Sequence, residues 1–440
     1  MTDSAISTTF DNAGFAAIPR IGALDAGKLA ARLGRALRAF MARRVQGIEW
    51  GELVVHDRYG VMTLGRAGTG PRVQLTVHHP AFYAYAAVGG SVGAGQAYFL
   101  GLWDCDHLTD LVRIFVRNRD TLNAMDASLS RLTAWLHKWI HRKRDNTLSG
   151  SRANIAAHYD VGNAFFEQFL DTSMMYSSAI FLQTDASLTE AQTAKLDIIC
   201  RKLNLGPQDR VIEIGTGWGG FALHAAQHYG AQVTTTTISH QQYEYARDRV
   251  AAAGLQSRIT LLDQDYRNLK GAAFRGRFNK LVSIEMIEAV GHEHFATFFR
   301  KCSELLTPDG QALIQAITIQ DRYYEQMRHS VDFIQRYIFP GGCLPSVSAM
   351  LDAARRSTDL QLAQLEDYSA HYAATLQQWR QRLLHNLAKV RSLGYTDQFV
   401  RMWVYYLCYC EGGFLERQIG VSHLLFNKPL HRGAPLPLRA

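Results

Sequence analysis

The sequence predicts an α/β protein, in which a parallel sheet is covered by helices and preceded by a smaller domain of mixed structure. From about residue 200 onward, strand-like and helix-like segments alternate, a pattern that is typical of parallel sheets. A glycine-rich turn joins the first of these strands to a helix. The length of 440 residues exceeds that of one ordinary core, so we expect two domains.

The composition favours a folded protein of a reducing cytoplasm. Apolar residues make up 47% of the chain and charged residues 20%, and no apolar run reaches the roughly eighteen residues that span a bilayer. The N-terminal stretch lacks the basic start and apolar core of a signal peptide. The six cysteines form no CxxC pair and no zinc or disulfide spacing. The net charge of +8 fits a surface that meets nucleic acid or anionic lipid, or one that is only solvated.

Residues 1–128 are predicted to form the small mixed α/β domain. We expect a helix over Leu24–Ala42 and a pair of strands over Glu52–Leu64. Residues 73–77 alternate apolar and polar side chains, the period of a half-buried strand. The stretch Gly89–Gly95 resembles a phosphate loop, but no Lys-Ser/Thr pair follows it, so a packed helix is the preferred interpretation.

Residues 129–151 are predicted to form a basic amphipathic linker helix that ends in a polar stretch. Trp135 and Trp139 fall on its apolar face, and basic residues gather near its end. Tryptophans beside a basic cluster are typical of a helix at a membrane surface. Packing on the protein itself is an equally good alternative. The basic cluster consists of Arg142, Lys143 and Arg144.

Residues 152–440 are predicted to contain the parallel sheet. Between its strands we expect helices at about 218–229, 240–253 and 293–306. The region of about 320–417 is mainly helical and rich in aromatic residues. The predicted strands are Arg210–Ile214, Gln232–Thr237, Arg258–Leu262, Lys280–Ile284, Ala312–Ile319 and a final strand, Ile419–Phe426.

Three features at the ends of the first three strands favour S-adenosylmethionine over a dinucleotide as the ligand of the glycine-rich turn. The first strand carries Glu213 just before the glycines of Gly215–Gly220, and a carboxylate suits a ligand with an ammonium and a sulfonium better than one with two phosphates. The second strand leads into Thr237–Gln242 without the acidic residue expected for an NAD ribose. After the third strand, the acidic-aromatic pair Asp265 and Tyr266 can hold an adenine amino group.

Several further motifs resemble the family of cyclopropane fatty acid synthases and mycolic acid methyltransferases. The likeness runs from about residue 155 to the end and extends more weakly to residues 90–98. It implies a Rossmann-like class I methyltransferase sheet with a helical lipid-binding cap over about 320–417. The matching motifs are His158–Asn163, Met175–Ala179, Glu190–Gln192, Glu213–Gly220, Thr237–Gln242, Ser283–Gly291, Tyr337–Pro345 and His371-Tyr372.

The resemblance also implies the residues that hold the cofactor and a bound bicarbonate that acts as general base. Ser178 and Gln315 depart from the cysteine and histidine that the family commonly has there, and Gln315 cannot titrate. The implied contacts to S-adenosylmethionine are Tyr176, Ser177, Gly215, Gly217, Trp218, Thr237, Gln242, Asp265 and Tyr266. The implied bicarbonate site is formed by Ser178, Glu288, Gln315, Ile317 and Tyr372.

The chemistry of such a reaction needs a base in a dry site. Attack of an alkene on the sulfonium methyl leaves a carbocation, which aromatic faces stabilise, and loss of a proton from the added methyl then closes a ring. Glu288 follows the fourth strand at the ligand-binding edge and is the preferred residue there. No metal site is expected, because His292 and His294 are two apart and do not face one ligand.

The expected function is therefore transfer of a methylene unit to the double bond of an unsaturated phospholipid acyl chain, at the inner face of the cytoplasmic membrane. One alternative is a fatty-acyl C-methyltransferase that leaves a methyl or methylene branch. Another is a non-catalytic lipid-binding protein on a methyltransferase fold. Nucleic-acid methylation is rejected, because no catalytic Cys or Asn-Pro-Pro-Tyr loop follows the fourth strand. Acyl length, product and a homodimeric state stay open.

Overall fold

The computed structural model describes residues 29–126 and 161–433. Its contacts divide the chain into two compact units, each assembled from separate stretches of sequence. The first unit contains the described part of Met1–Lys143 with Ser330–Pro340 and Trp379–Gln418, and the second contains the described part of Arg144–His329 with Gly341–Gln378 and Ile419–Ala440.

This division differs from the predicted domains in the segment that follows the parallel sheet. The predicted insert over about 320–417 is shared between the two units, because Ser330–Pro340 and Trp379–Gln418 bury their apolar faces against helices from the N-terminal part of the chain. The basic helix predicted over 129–151 lies outside the described residues.

The first unit contains a four-stranded sheet of order β2-β1-β3-β4. Strands β1 and β2 form an antiparallel hairpin that turns at Gly60, where φ is +113°, and β1 pairs with β3 in parallel. The predicted alternation at residues 73–77 corresponds to β3, whose burial alternates along the strand. The N-terminal elements are α1 Leu29–Arg44, β1 Gly51–Asp57, β2 Gly60–Arg66, β3 Arg72–Val77, α2 Ala81–Phe99, β4 Trp103–Cys105, α3 Leu108–Arg117 and α4 Arg119–Asp126.

The glycine-rich stretch Gly89–Gly95 lies inside helix α2, as the absent Lys-Ser/Thr pair indicated. A β-carbon on Gly95 would lie 2.6 Å from the Phe333 ring and 2.8 Å from the Tyr405 ring, so the missing side chain permits close packing here. Phe333 and Tyr405 are buried with their ring centroids 4.6 Å apart. These two aromatic residues therefore belong to the core of this unit. Its remaining helices are α11 Phe333–Tyr337, α14 Leu387–Ser392 and α15 Asp397–Leu415, and α13 Ser369–His385 passes from the second unit into the first.

The second unit contains a seven-stranded sheet of order β10-β11-β9-β8-β5-β6-β7. The strands from β9 to β7 are parallel to one another, and β11 and β10 add to the β9 edge in antiparallel orientation. The six predicted strands are confirmed, and the edge strand β10 was not predicted. The strands are β5 Arg210–Ile214, β6 Gln232–Thr237, β7 Ile259–Asp263, β8 Phe278–Ile284, β9 Leu306–Ile319, β10 Gln361–Asp367 and β11 Ile419–Asn427.

Helices cover both faces of this sheet. Val211 packs in the apolar core on one face and Ile212 in the core on the other, so strand β5 is buried on both sides, as a central parallel strand requires. The helices of the second unit are α5 Asn163–Phe166, α6 Leu188–Lys202, α7 Gly220–Tyr229, α8 His240–Ala252, α9 Phe295–Leu305, α10 Asp321–Met327 and α12 Val347–Ser357. Within residues 29–126 and 161–433, no helix has the length and apolar character needed to cross a bilayer.

Candidate active site

The glycine turn between β5 and α7 leaves open space above its backbone. Gly215 has φ of +104° and Gly217 has φ of +51°, conformations that side chains other than glycine adopt at a cost. A β-carbon placed on Gly217 would meet no atom of the described residues within 4 Å, whereas one on Gly220 would lie 2.5 Å from the Met175 sulfur. The turn therefore offers a backbone surface at Gly217 that a ligand can approach closely.

The predicted cofactor residues of the second strand stabilise the turn that follows it. The Thr237 hydroxyl donates to the Gln242 side-chain oxygen at 3.1 Å and accepts from the Ser239 amide at 3.1 Å. Ser239 caps helix α8 by accepting from the Gln242 amide. Both Thr237 and Gln242 are buried at the carboxyl end of β6, where ligands of such sheets bind.

The acidic-aromatic pair after β7 has a partner that the sequence did not reveal. Arg267 binds the Asp265 carboxylate at two points, with Nε 2.9 Å from Oδ1 and Nη2 2.6 Å from Oδ2. The Tyr266 ring is buried edge-on against Phe298, and burial raises the pKa of its hydroxyl. Asp265 therefore presents a carboxylate whose charge is already compensated.

The predicted residues Tyr176 and Trp218 meet around a third aromatic ring. The Phe166 ring lies 5.3 Å from Tyr176 and 5.0 Å from Trp218, measured between centroids. The Trp218 indole donates to the Asn163 side chain at 2.8 Å. Tyr176 and Trp218 are thereby held together beside the glycine turn.

The buried Lys195 links the predicted residue Ser177 to the acidic groups of the site. Its ammonium donates to the Ser177 hydroxyl at 2.7 Å. Burial lowers the pKa of Lys195 to about 8, while the charges of Glu285, Asp171 and Glu213 oppose that shift. Lys195 was not predicted, and only its place in α6 soon after the motif Glu190–Gln192 could have drawn attention to it.

Glu213 is almost completely buried in β5, where the Thr235 hydroxyl donates to its carboxylate at 2.6 Å. Burial raises the pKa of Glu213 to about 8, and this hydrogen bond and Lys195 only partly oppose the shift. The side chain therefore holds a proton at neutral pH in the ligand-free protein. A cationic ligand beside it would favour the ionised form.

The buried Glu213 carboxyl should make stability depend on pH. Its pKa is raised from 4.5 to about 8 on folding, so its contribution is complete below about pH 4.5 and is lost as the pH rises through about 8. When the pH rises from about 5 to about 8, the free energy of unfolding should fall in the parent and fall less in Glu213→Gln. The difference between the two falls should be on the order of a few kcal/mol. Urea titrations at both pH values, without ligand, measure this.

The exposed Glu293 offers a control for that measurement. The variant Glu293→Gln makes the same chemical change on the surface and should follow the parent at both pH values. An equal pH dependence in parent and Glu213→Gln would show that the buried carboxyl does not stay protonated.

Three of the five residues predicted to hold bicarbonate converge on a carboxylate that was not predicted as a site residue, Glu285. The Ser178 amide donates to Glu285 Oε1 at 2.8 Å, and the Gln315 side-chain nitrogen donates to the same oxygen at 2.7 Å. The Tyr372 hydroxyl donates to Glu285 Oε2 at 2.6 Å. The three donors come from the segment before α6, from β9 and from α13.

Glu288 lies in the short 3-10 turn that follows β8, and its two carboxylate oxygens differ sharply. Oε1 accepts from the Ile317 amide, whereas Oε2 is buried without a hydrogen-bond partner among the residues that the structure describes. Burial raises the pKa of Glu288 to about 8, and the charge of Glu285 adds to the shift. A buried acid with a bare oxygen and a pKa near neutrality has the properties of a general base.

The structure thus brings the predicted catalytic residues together, but with different partners from those expected. Tyr372 was predicted to hold bicarbonate together with Glu288, and its hydroxyl instead donates to Glu285. The backbone carbonyl of Glu288 accepts from the Cys343 amide at 2.7 Å, which fixes the turn that carries it. Glu285, three residues before Glu288 in the same motif, is the residue that sequence reasoning missed.

Gln315 is itself oriented by a chain of donors. The Lys202 ammonium can only donate hydrogen bonds, and it lies 3.0 Å from His423 Nδ1. His423 Nδ1 is therefore the acceptor. His423 Nε2 then carries the hydrogen and donates to Gln315 Oε1 at 2.9 Å. The Gln315 amide nitrogen is consequently directed at Glu285. His423 lies on β11 directly opposite Gln315 on β9.

Comparisons with known proteins identify the family of this chain. A model of the family described as mycolic acid cyclopropane synthetase matches residues 146–424. The tuberculostearic acid methyltransferase UfaA1 of Mycobacterium tuberculosis is 36% identical over 79% of this chain and 81% of its own length. The cyclopropane-fatty-acyl-phospholipid synthase of Escherichia coli K12 is 33% identical over 83% of this chain and 90% of its own length.

A solved structure gives the same result for the fold. The mycolic acid cyclopropane synthase CmaA1, crystallised with S-adenosylhomocysteine and CTAB, superimposes with a TM-score of 0.58 at 30% identity, covering 63% of this chain and 98% of that one. The turn at Gly217 and the carboxylates of Glu285 and Glu288 after β8 therefore belong to the fold of a class I methyltransferase, whose cofactor is S-adenosylmethionine. The chain belongs to the mycolic acid cyclopropane synthetase family and is an S-adenosylmethionine-dependent methyltransferase of the cyclopropane synthase type.

Proposed function

We propose that this enzyme converts the double bond of an unsaturated fatty-acyl chain in a membrane phospholipid into a cyclopropane. The observation that carries the proposal is the bare, buried Oε2 of Glu288 beside a second carboxylate. Methylation of an alkene carbon ends only when a proton is removed, so it needs a base in a water-excluded site. The alignment with the Escherichia coli synthase over most of both chains supports the phospholipid substrate.

The residues divide the chemistry between cofactor binding and proton removal. When bound, S-adenosylmethionine supplies an electrophilic methyl group, and the open backbone at Gly217 with Thr237, Gln242 and Trp218 is placed to hold it. Glu288 then takes a proton from the methyl group added to the acyl chain. The C–H bond breaks, its electron pair closes the three-membered ring, and the proton stays on the carboxyl group.

The bicarbonate implied by the resemblance does not fit the hydrogen bonds of this site. Its predicted donors Ser178, Gln315 and Tyr372 are directed at Glu285, and the Ile317 amide is directed at Glu288. No step of the proposed reaction is therefore assigned to bicarbonate.

A methyl- or methylene-branched product is the second candidate. It is favoured by the 36% identity to the tuberculostearic acid methyltransferase, over four-fifths of both chains. The same residues would bind the acyl chain, and the cation would lose a different proton or shift before losing one. The difference between the candidates is the carbon that faces Glu288.

Deuterium labelling separates these products. We would incubate the protein with methyl-deuterated S-adenosylmethionine and vesicles of unsaturated phospholipid, then release and analyse the acyl chains by mass spectrometry and NMR. A cyclopropane retains two of the three deuterons and resists ozonolysis. A methylene branch also retains two but is cleaved by ozone, and an unsaturated chain with a methyl branch retains all three. Vesicles left unmodified would refute the proposed function.

We further propose that the protein acts as a peripheral protein at the cytoplasmic face of the membrane. The proposal depends on Arg142, Lys143 and Arg144, which lie outside the described residues, and on the two tryptophans that precede them. Replacing all three by glutamine is expected to weaken binding to anionic vesicles by up to about 3 kcal/mol, at roughly 1 kcal/mol per basic residue near the surface. Co-sedimentation with vesicles measures the affinity.

A matched variant controls for the loss of net charge. Arg355, Arg356 and Arg391 have exposed side chains in the described part of the chain. Replacing them by glutamine removes the same charge elsewhere and should leave vesicle binding close to that of the parent. Equal binding by both triple variants would assign the helix a packing role only.

A further inference from the structure

The pocket around Glu285 is built like an oxyanion-binding site. A backbone amide, a side-chain amide and a phenol, from Ser178, Gln315 and Tyr372, donate to it from three separate elements at 2.6–2.8 Å. Such convergence of neutral donors is how proteins hold an anion without a formal cation in contact. Burial raises the pKa of Glu285, and the three hydrogen bonds and the charge of the nearby Lys195, which donates to Ser177, oppose that shift and favour the ionised form.

The Glu285 carboxylate fills this pocket and occupies the hydrogen-bond donors that a second anion would need. A carboxylate offers about four lone-pair directions, and Glu285 uses three of them. Every one of these donors is among the residues that the family resemblance assigns to bicarbonate. A free bicarbonate ion would have to displace the covalently attached carboxylate from all of them.

The local backbone places the Glu285 side chain in this position. Glu285 has φ of +49°, in the left-handed region that residues other than glycine seldom adopt, and its amide donates to the Gln315 carbonyl at 2.8 Å. The strained conformation turns the chain at the end of β8 so that the carboxylate meets the Gln315 side chain as well. Such a conformation persists only where the surrounding contacts hold it, and it is commonly found at functional sites.

Gln315, which stands where the family commonly has histidine, agrees with a resident carboxylate. His423 and Lys202 fix the Gln315 amide so that its nitrogen faces Glu285. Glutamine donates a neutral hydrogen bond at every pH, which suffices for an anion that cannot dissociate from the protein.

We propose that the Glu285 carboxylate is the resident oxyanion of this pocket, and that the protein consequently works without bicarbonate. Glu285 is a positioning residue: it occupies the three donors and places a negative charge beside Glu288, which removes the proton. The inference rests on the proposed function for its activity measurements but not for its binding measurement.

The binding measurement needs no lipid. The parent protein, freed of carbonate under argon, would be titrated with carbon-13-labelled bicarbonate and followed by NMR line broadening. We expect no saturable binding to the parent. Glu285→Gly keeps the backbone conformation without strain and frees the three donors, so it should bind bicarbonate saturably, and the additional change Tyr372→Phe should weaken that binding. Saturable binding to the parent that Tyr372→Phe weakens would overturn the inference.

The activity measurement uses bicarbonate as a rescue agent. Parent turnover on unsaturated phospholipid should be the same with and without bicarbonate. Glu285→Gly should lose on the order of tenfold or more in turnover, because Glu288 becomes a weaker base without the neighbouring negative charge, and should regain much of it when bicarbonate is added. Glu285→Gln keeps the pocket filled, so bicarbonate should not restore its turnover.

The outcomes separate the two proposals. A parent enzyme that loses activity without bicarbonate and recovers with it would refute the resident oxyanion while leaving the proposed function intact. A parent that modifies no unsaturated phospholipid would refute the proposed function, and the NMR titration would still decide whether the pocket excludes bicarbonate. The parent titration also decides the matter if Glu285→Gly does not fold, which melting curves and S-adenosylmethionine affinity reveal.

Discussion

Replacing Glu288 by glutamine is expected to lower turnover by about a hundredfold or more while leaving the affinity for S-adenosylmethionine nearly unchanged. The glutamine oxygen can still accept from the Ile317 amide, so the turn after β8 should keep its shape. The amide nitrogen would stand where the bare Oε2 of Glu288 now lies, and it cannot take a proton. Initial rates with labelled cofactor and unsaturated phospholipid vesicles measure the loss.

The pH profile adds a second readout for Glu288. Burial and the charge of Glu285 raise the pKa of Glu288 to about 8, and a base acts in its deprotonated form. Parent turnover should therefore rise as the pH increases through about 8, and the residual activity of Glu288→Gln should lack that rise. The exposed Glu293→Gln should retain both the parent rate and the parent profile. Near-parent turnover of Glu288→Gln would remove Glu288 from the role of base.

Replacing Gly217 by valine is expected to abolish measurable binding of S-adenosylmethionine. In the part of the chain that the structure describes, no atom lies within 4 Å of a β-carbon added to Gly217, so a side chain there would occupy the volume left for the ligand. The φ of +51° adds strain for a β-branched residue, on the order of 1–3 kcal/mol. Calorimetric titration gives the affinity, and far-UV circular dichroism shows whether the fold is retained.

The strain at Gly217 has a matched control at Gly254. Gly254 also has a left-handed backbone, with φ of +67°, and open space around it, but it follows helix α8 away from the glycine turn. Gly254→Val should lose similar stability and bind S-adenosylmethionine like the parent. Unchanged affinity in Gly217→Val would place the cofactor elsewhere.

The central strands could be predicted from sequence because their signals are local. Strands β5 and β6 begin and end at the predicted residues, Arg210–Ile214 and Gln232–Thr237, which are rich in β-branched side chains. Strand β10, Gln361–Asp367, was missed because it is an edge strand whose residues are mostly exposed and whose apolar and polar residues do not alternate regularly. The division of 320–417 between two units was also missed, because sequence periodicity reveals an apolar face but not its partner.

The active site shows the same limit at the scale of single atoms. Motif resemblance identified Ser178, Gln315 and Tyr372 as donors around an anion, and the structure brings all three together. It could not identify the anion, because the Glu285 side chain reaches them only through a left-handed backbone at the end of β8. Nor could it identify His423, which reaches Gln315 only through the register of β11 on β9.

The position of β11 between β9 and β10 has a consequence for how the enzyme matures. This strand is the final element of the described chain, and it carries the histidine that fixes the Gln315 amide. The chain must therefore leave the ribosome as far as His423 before the pocket around Glu285 acquires its full set of oriented donors. The segments that form β5 to β9 and the glycine turn leave the ribosome earlier. The residues placed to bind the methyl donor are thus synthesised before the histidine that orients the Gln315 amide toward Glu285.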